Sequence, residues 1–299
     1  MARVFVIGNA GLDLGLSLPR LPRRGETLLG DPAPRAPGGK GFNQAVAAAR
    51  CGAEVRFCAP LGDDPQGTEI ATLVAAEGLA EATLPRLPLP TDFSLLMVFP
   101  DGENCIVSSG PCAKALRPDV AERFLADAGS GDVVMLQGNL SQQTTAAALA
   151  RGKRQGALTI LNAAPVSWDA KILLRDCAVV IANLDEAQTM AGSLDAATAA
   201  AALRTLGAGV AIVTLGADGC VRCDRDGHRV FPADRVDAID TTGCGDVFCG
   251  VIAAFLANGG ACDAAIGVAQ TAAALTATRA GAFTALPSAA ELRALLRAR

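Results

Sequence analysis

The sequence predicts a doubly wound α/β fold built on a mostly parallel sheet. Two observations predict it. Short β-rich apolar runs recur at 4–7, 55–59, 133–136, 158–161, 179–182 and 210–215, and they are predominantly apolar at consecutive positions rather than alternating, as strands covered on both faces are. Ala-rich stretches of helical character lie between them, at 43–51, 67–77, 141–155, 185–191 and 195–206. Strands alternating with helices in this way build a parallel sheet with helices on both sides.

In chain order, the run 4–7 is the first strand, and the helix 43–51 leaves a glycine loop and stops at Gly52. Between them, residues 14–37 break the rhythm with many Pro and Arg residues. The strand 55–59 and the helix 67–77 follow, and residues 87–110 break the pattern again. Here Phe93-Ser-Leu-Leu-Met-Val-Phe99, a Pro-Asp-Gly turn and Cys105-Ile-Val107 read as a hairpin. The two interruptions are expected to form a small β lid. The strand–helix alternation then resumes from 133 to 215. Apolar residues at 247, 248, 251, 252, 255 and 256 trace the buried face of a helix, and Ala abundance makes 264–277 another. No tandem repeat or linker divides the chain, so residues 1–299 are expected to form a single domain carrying the lid.

Composition narrows the function. At 51% hydrophobic residues over 299 positions, the chain can bury a core without disulfides or metals. Its net charge of −4, with Lys and Arg scattered, lacks the electrostatic footprint of a nucleic-acid binder, so small molecules are the expected partners. The apolar run near the N-terminus is too short for a signal peptide and no segment reaches the ~18 apolar residues of a membrane span, so a soluble cytoplasmic protein is expected. The ten cysteines are dilute and sit in apolar stretches such as those around Cys58, Cys177 and Cys249, which reads as buried reduced thiols. Cys220-Val-Arg-Cys223 has ligand-like spacing, but there is no second pair and His228 is the single histidine. The pair therefore reads as coincidence within a strand-like stretch. His228, in Asp226-Gly-His-Arg, reads as a solvated turn residue.

Three motifs carry chemistry. In Asp240-Thr-Thr-Gly-Cys-Gly-Asp246 the glycines and Asp246 precede an apolar helix and so lie at its N-terminus. That end offers unpaired N–H groups and the positive end of the dipole, a place for phosphate oxygens. Acidic residues are common in first turns for dipole reasons alone, but that does not explain Asp240 and two glycines in the same loop. The second motif, Pro37-Gly-Gly-Lys-Gly-Phe-Asn-Gln44, is a glycine loop feeding a helix. It lacks the spacing of a Walker loop. Lys40 and Asn43 at its mouth are suited to binding hydroxyls, although a glycine turn before an ordinary helix reads similarly. The third, Asn183-Leu-Asp-Glu186, follows an apolar strand at the end where parallel sheets bind ligands. A carboxylate there can hold Mg²⁺. A capping box between Asn183 and Glu186 is the reading that spacing alone favours.

These pieces, together with Val6-Ile-Gly-Asn-Ala-Gly-Leu-Asp13, Gly62-Asp-Asp64, Thr214-Leu-Gly-Ala-Asp-Gly219 and Thr278-Arg-Ala-Gly281, resemble the ribokinase-like (PfkB) carbohydrate kinases over nearly the whole chain. The resemblance implies an ATP-dependent sugar kinase with Asp246 as the base that takes the proton of the attacking hydroxyl. It implies an anion hole made by the amides of Gly243, Cys244 and Gly245, and sugar contacts from Asp13, Gly39, Lys40, Asn43 and Asn139. Asn183, Thr214, Gly216, Gly219 and Gln270 fall in nucleotide-binding positions, joined there by Gly243 and Gly245, and Glu186 in that of a Mg²⁺ ligand. Asp240, Thr242, Thr276, Arg279 and Gly281 match a monovalent-cation site, which makes K⁺ an expected activator, while Ala285 replaces a frequent serine ligand. A homodimer through the lid is implied as well.

Two departures concern the sugar. Gly11 stands where ribokinases have an asparagine, and Gly138-Asn139 where they have a glutamate. Ribose is thus one candidate among pentoses, hexoses and sugar acids. A nucleoside kinase of the same superfamily would need apolar or aromatic groups to hold the base, and the chain has no tyrosine and one tryptophan, Trp168. A dinucleotide-dependent oxidoreductase is disfavoured because Gly8-Asn-Ala-Gly-Leu-Asp13 lacks the Gly-x-Gly-x-x-Gly spacing. A non-catalytic sugar or nucleotide sensor would not need Asp246.

Overall fold

The computed structural model describes residues 2–79, 81–100, 104–165, 168–192 and 195–297. In chain order its elements are β1 (Arg3–Ile7), β2 (Gly11–Ser17), β3 (Asp31–Gly38), α1 (Lys40–Arg50), β4 (Glu54–Cys58), β5 (Leu61–Gly62), α2 (Pro65–Ala76), β6 (Arg86–Leu87), β7 (Phe93–Val98), β8 (Asn104–Ser109), α3 (Pro111–Ala115), α4 (Pro118–Phe124), β9 (Val133–Gln137), α5 (Gln142–Arg154), β10 (Leu158–Asn162), β11 (Val179–Asn183), α6 (Leu184–Ala191), α7 (Ala196–Thr205), β12 (Val210–Thr214), β13 (Cys220–Asp224), β14 (Gly227–Phe231), α8 (Cys244–Ala257), α9 (Cys262–Ala277) and α10 (Ala289–Arg297). Eight strands form the main sheet in the order β14-β13-β12-β11-β10-β9-β1-β4. Neighbouring strands from β4 to β12 pair in parallel, while β13 and β14 extend the sheet as an antiparallel hairpin.

The apolar runs explain the two core layers. Along β1 the side chains of Val4 and Val6 enter one layer, with Val46 of α1 and Val251 of α8, and those of Phe5 and Ile7 enter the other, with Leu149 of α5. Every strand with this double duty must be apolar at consecutive positions, and each side chain so buried contributes roughly 1.5–3 kcal/mol. The layer holding α1, α8 and α9 is where the two glycine loops converge. Gly250 makes that convergence tight: a Cβ there would lie 2.5 Å from the carbonyl oxygen of Gln44 and 2.7 Å from Cβ of Ala47. Only glycine lets α8 lie this close to α1.

The second sheet has the order β3-β2-β7-β8, in which β2 and β7 run parallel and the outer pairs antiparallel. It matches the expected lid, with wider limits, since β2 starts at Gly11 and β3 ends at Gly38. Pro32 and Pro37 are accommodated because β3 is an edge strand, where missing N–H donors cost no ladder bonds. The predicted turn at Asp101 and Gly102 lies outside the described residues.

The thiols and the turn can be placed as well. Cys58, Cys177 and Cys249 are buried free thiols, as expected. Cys220 and Cys223 lie in β13 but belong to different core layers, so one ion cannot take both. His228 is exposed, yet it is a residue of β14 paired with Cys223 rather than a turn residue. The turn lies between the paired Asp224 and Gly227.

Candidate active site

Asp246 occupies the first turn of α8 and keeps 6% exposure. Gly243 caps that helix at φ +83°, with Ala282 backbone atoms against it, so the chain can turn abruptly into the helix. Across the tight α1–α8 contact, Asn43 Nδ2 donates to Asp246 Oδ2 at 3.1 Å and Gln44 Nε2 donates to Oδ1 at 3.1 Å. Lys40 Nζ lies 3.8 Å from Oδ1 and its side chain keeps 39% exposure. The carboxylate of Asp246, foremost, holds the Lys40 ammonium above its ordinary pKa. Lys40 is itself the first residue of α1, three positions ahead of the predicted helix start, because Gly39 at φ +102° follows β3 directly and turns the chain at once. The two loops that the sequence separates by some 200 residues thus form one cluster.

Asp13 faces the same cluster from the lid. Burial, with the charge of Asp246 adding to it, pushes its carboxyl up to about 6, and a hydrogen bond with Ser94 opposes the shift. Gly38 leaves room for this carboxyl, since a Cβ there would meet it at 2.2 Å. The first departure noted above has a physical basis. A Cβ on Gly11 would lie 2.1 Å from the carbonyl oxygen of Asp92, which accepts the N–H of Leu12 at 3.1 Å. No asparagine fits there on this backbone. Asn139 follows β9, and its Oδ1, like that of Asn43, is buried without a hydrogen-bond partner among the described residues.

On the other side of Asp246 a cavity of about 670 Å³ opens. Thr214, Gly216, Gly219 and Gln270 line it, as do Thr241, Cys244 and Gly245. The nucleotide residues expected from sequence are therefore gathered in one place, except for Asn183 and Gly243, which are not in its wall. Gln270 is held there by its amide, which donates to the carbonyl of Phe231 at 2.8 Å. The three amides expected to form an anion hole differ in their engagement. Cys244 N–H donates to Thr241 O at 3.3 Å, whereas the amides of Gly243 and Gly245 make no hydrogen bond among the described residues. These two amides are the pair left for an anion, and the space beside Gly245 is open.

Asn183 and Glu186 form the capping box that spacing favoured, with Asn183 N donating to Glu186 Oε2 at 2.9 Å and Glu186 N to Asn183 Oδ1 at 2.8 Å. Burial raises the Glu186 carboxyl, and its field reaches Lys40 and Asp246, so the cap also faces the site. Of the cation set, Asp240 joins Thr242 and Gly281, accepting their N–H groups at 2.8 Å each. Thr276 and Arg279 meet through backbone, Arg279 N donating to Thr276 O at 3.0 Å. The Arg279 guanidinium turns away to Glu291 at 2.5 Å.

Sequence reasoning assigned no role to Asn9, Gln44, Gln137 and Asn162. Asn9 Oδ1 accepts from Gly41 N at 3.2 Å and so shapes the first glycine loop. The other three make a buried amide chain behind Asp246. The signal for Asn9 was its place in the glycine-flanked turn after β1; the amides carried none.

Comparison with known proteins fits this geometry. The chain matches the pfkB family carbohydrate kinase over residues 1–289. It is 30% identical to a ribokinase of Bacillus subtilis over 297 residues, covering 99% of this chain and 100% of that one. Among solved structures, a ribokinase of Thermotoga maritima superposes with a TM-score of 0.88 at 27% identity, covering 99% of this chain and 100% of the other. An Arabidopsis thaliana ribokinase complexed with ribose and ATP gives 0.86 at 25% identity, covering 99% of each. The family match and these relatives define an ATP-dependent phosphotransferase that acts on a sugar hydroxyl. The chain belongs to the pfkB family of carbohydrate kinases.

Proposed function

We propose that Asp246 is the general base of this kinase and that the sugar lies between α1, α8 and the lid, held by Asp13, Gly39, Lys40, Asn43 and Asn139. The observation that carries the reading is the placing of the Asp246 carboxylate. It sits 3.1 Å from Asn43 on the sugar side and next in sequence to Gly245, which lines the nucleotide cavity. Buried acceptors without donors cost about 1–3 kcal/mol each, so the unpaired oxygens of Asn43 and Asn139 favour a ligand rich in hydroxyls. The hydroxyl proton passes to Asp246 as its oxygen bonds to the γ-phosphorus and the bond to the leaving ADP breaks. The amides of Gly243 and Gly245 and the Lys40 ammonium offset the charge on the transferred group.

Thr214, Gly216, Gly219 and Gln270 hold the nucleotide in the cavity. Glu186 fits a Mg²⁺ role through water, since one carboxylate oxygen serves the cap and the other remains free. A bound Mg²⁺ supplies charge neutralisation on the phosphates. Asp240, with the backbone around Thr242, Thr276, Arg279 and Gly281, is the proposed K⁺ site. The free thiols fit a reducing cytoplasm, where ATP is also at hand. Residues 1–299 act as one unit with the lid as cover, and ribose or a related pentose is the substrate class to which the ribokinase likeness points.

The test is coupled ADP release across pentoses, hexoses and sugar acids, with and without K⁺, for the wild-type protein and Asp246→Asn. We expect sugar-dependent turnover and a loss in kcat of ~10² to 10⁴ in the variant, the range for a removed base. Near-normal kcat in a folded D246N protein would refute the role.

A further inference from the structure

Behind Asp246 lies a chain of side-chain amides that hydroxyl binding and phosphate binding leave unexplained. Gln44 is 0% exposed. Its Nε2 donates to Asp246 Oδ1 at 3.1 Å and to Asn162 Oδ1 at 3.0 Å, and its Oε1 accepts from Gln137 Nε2 at 2.8 Å. Asn162 Nδ2 in turn donates to the carbonyl of Ile181 at 3.2 Å. Gln137 and Asn162 end β9 and β10, so the chain is anchored on the rigid ends of two central strands and on the backbone of a third, β11.

Each amide in this chain dictates the next. The backbone carbonyl of Ile181 turns the oxygen of Asn162 toward Gln44, and Gln137 offers Gln44 a donor, so Gln44 must direct its own NH₂ at Asp246. A reversed Gln44 would set its oxygen against the oxygens of both Asn162 and Asp246. Gln137 leaves its Oε1 buried and without a partner among the described residues, where a Cβ on Gly8 would lie 2.0 Å away. Its NH₂ is therefore committed to Gln44 even though its oxygen finds no donor. Unlike a histidine or a second carboxylate, amides hold one charge state at every working pH, so this arrangement orients without titrating.

We propose that Gln44, locked by Gln137 and Asn162, is a positioning residue that fixes the Asp246 carboxylate by one oxygen and leaves the other, shared with Asn43, for the sugar hydroxyl. This rests on the reading of Asp246 as the base. Gln44 touches no substrate in this account, so its loss acts on kcat and leaves both KM values in place. A carboxylate free to turn in its pocket meets the hydroxyl in the right attitude less often, and such misplacement costs up to ~10²-fold.

The experiment compares the wild-type protein with Q44L, Q137M, the double variant and D246N, measuring kcat, KM for sugar and for ATP, and thermal unfolding with and without ADP. We expect Q44L to lose ~10- to 100-fold in kcat with both KM values within ~3-fold, and Q137M to lose ~3- to 10-fold. The double variant should be no slower than Q44L, because the losses act through one carboxylate and do not multiply. Q44E, which keeps the acceptor for Gln137 but sets a carboxylate against Asp246, should fall at least as far as Q44L. A folded Q44L protein with wild-type kcat, a rise in sugar KM alone, or losses that multiply in the double variant overturns the proposal. If Q44L does not fold, Q137M and N162L carry the test, since each removes one bond that orients Gln44, and wild-type kcat in either overturns it. The D246N arm separates the two claims: normal turnover there removes the base itself, whereas a dead D246N beside a normal Q44L removes only the positioning.

Discussion

Asp13, the proposed acceptor for sugar hydroxyls, is held at the expense of stability. Its carboxyl titrates at about 6, against 3.8 ordinarily, because burial and the charge of Asp246 disfavour its ionised form. Between those values the folded chain holds a proton that the unfolded chain has released, so stability from this group is present at low pH and declines as pH rises through 6. Above that window an ionised Asp13 opposes folding, while its charge is what the proposed contact with sugar hydroxyls uses. Asp13→Asn should therefore raise Tm at pH 7.5, with the gain shrinking toward pH 4. Asp92, also raised to about 6 by burial, shifts stability in the same window but cancels when variant and wild type are compared. The same variant should raise the sugar KM by ~10- to 100-fold, the worth of about 1.5–3 kcal/mol for a hydrogen bond to a charged group. A pH series of thermal unfolding and initial rates checks both, and a variant less stable than wild type at pH 7.5 contradicts the argument.

The contact between α1 and α8 sets the distance from Asp246 to the groups that serve it. Gly250→Ala should push these helices apart, because its Cβ would come within 2.5 Å of the Gln44 carbonyl oxygen, a backbone atom that cannot swing away. Overpacking of this kind costs about 1–3 kcal/mol, so Tm should fall by roughly 2–10 °C. The kcat should fall as well, since the shift separates Asp246 from Asn43 and Gln44; an unchanged kcat with lowered Tm would mean that the register survives. This contact also marks how far the sequence could be read. The six parallel strands were legible because burial demands runs of apolar residues, on both faces for all but the edge strand β4, and the helix bearing Asp246 because its apolar face repeats. β3 was not, since Pro32, Pro34 and Pro37 argue against a strand until its place at the sheet edge is known. Asp246, Lys40 and Asn43 could be picked out by glycine-rich context and by family likeness. Gln44 could not, because in an Ala-rich helix it reads as any polar residue, and its partners stand 93 to 202 residues away.

At the scale of the whole molecule, the lid has one protected edge and one open edge. The prolines of β3 blunt the first, while β8, Asn104-Cys-Ile-Val-Ser-Ser109, carries no charge and no proline and has no strand beyond it among the described residues. Ile106 and Val107 there are 48% and 60% exposed, and Phe93 on the adjoining β7 is 42% exposed. An uncharged edge of this kind either aggregates or pairs, and a pair of lids meeting by these strands would cover both edges at once. The expected state is a dimer of twice the chain mass in light scattering, unchanged on dilution through the micromolar range. Val107→Glu should shift it to monomer. Because Asp13 and its partner Ser94 lie on the lid, the monomeric variant should bind sugar more weakly, while its affinity for ADP, for which the proposed cavity lies on the main sheet, stays the same. A wild-type protein that is monomeric at all concentrations, or a V107E variant that remains dimeric, places the subunit contact elsewhere or nowhere.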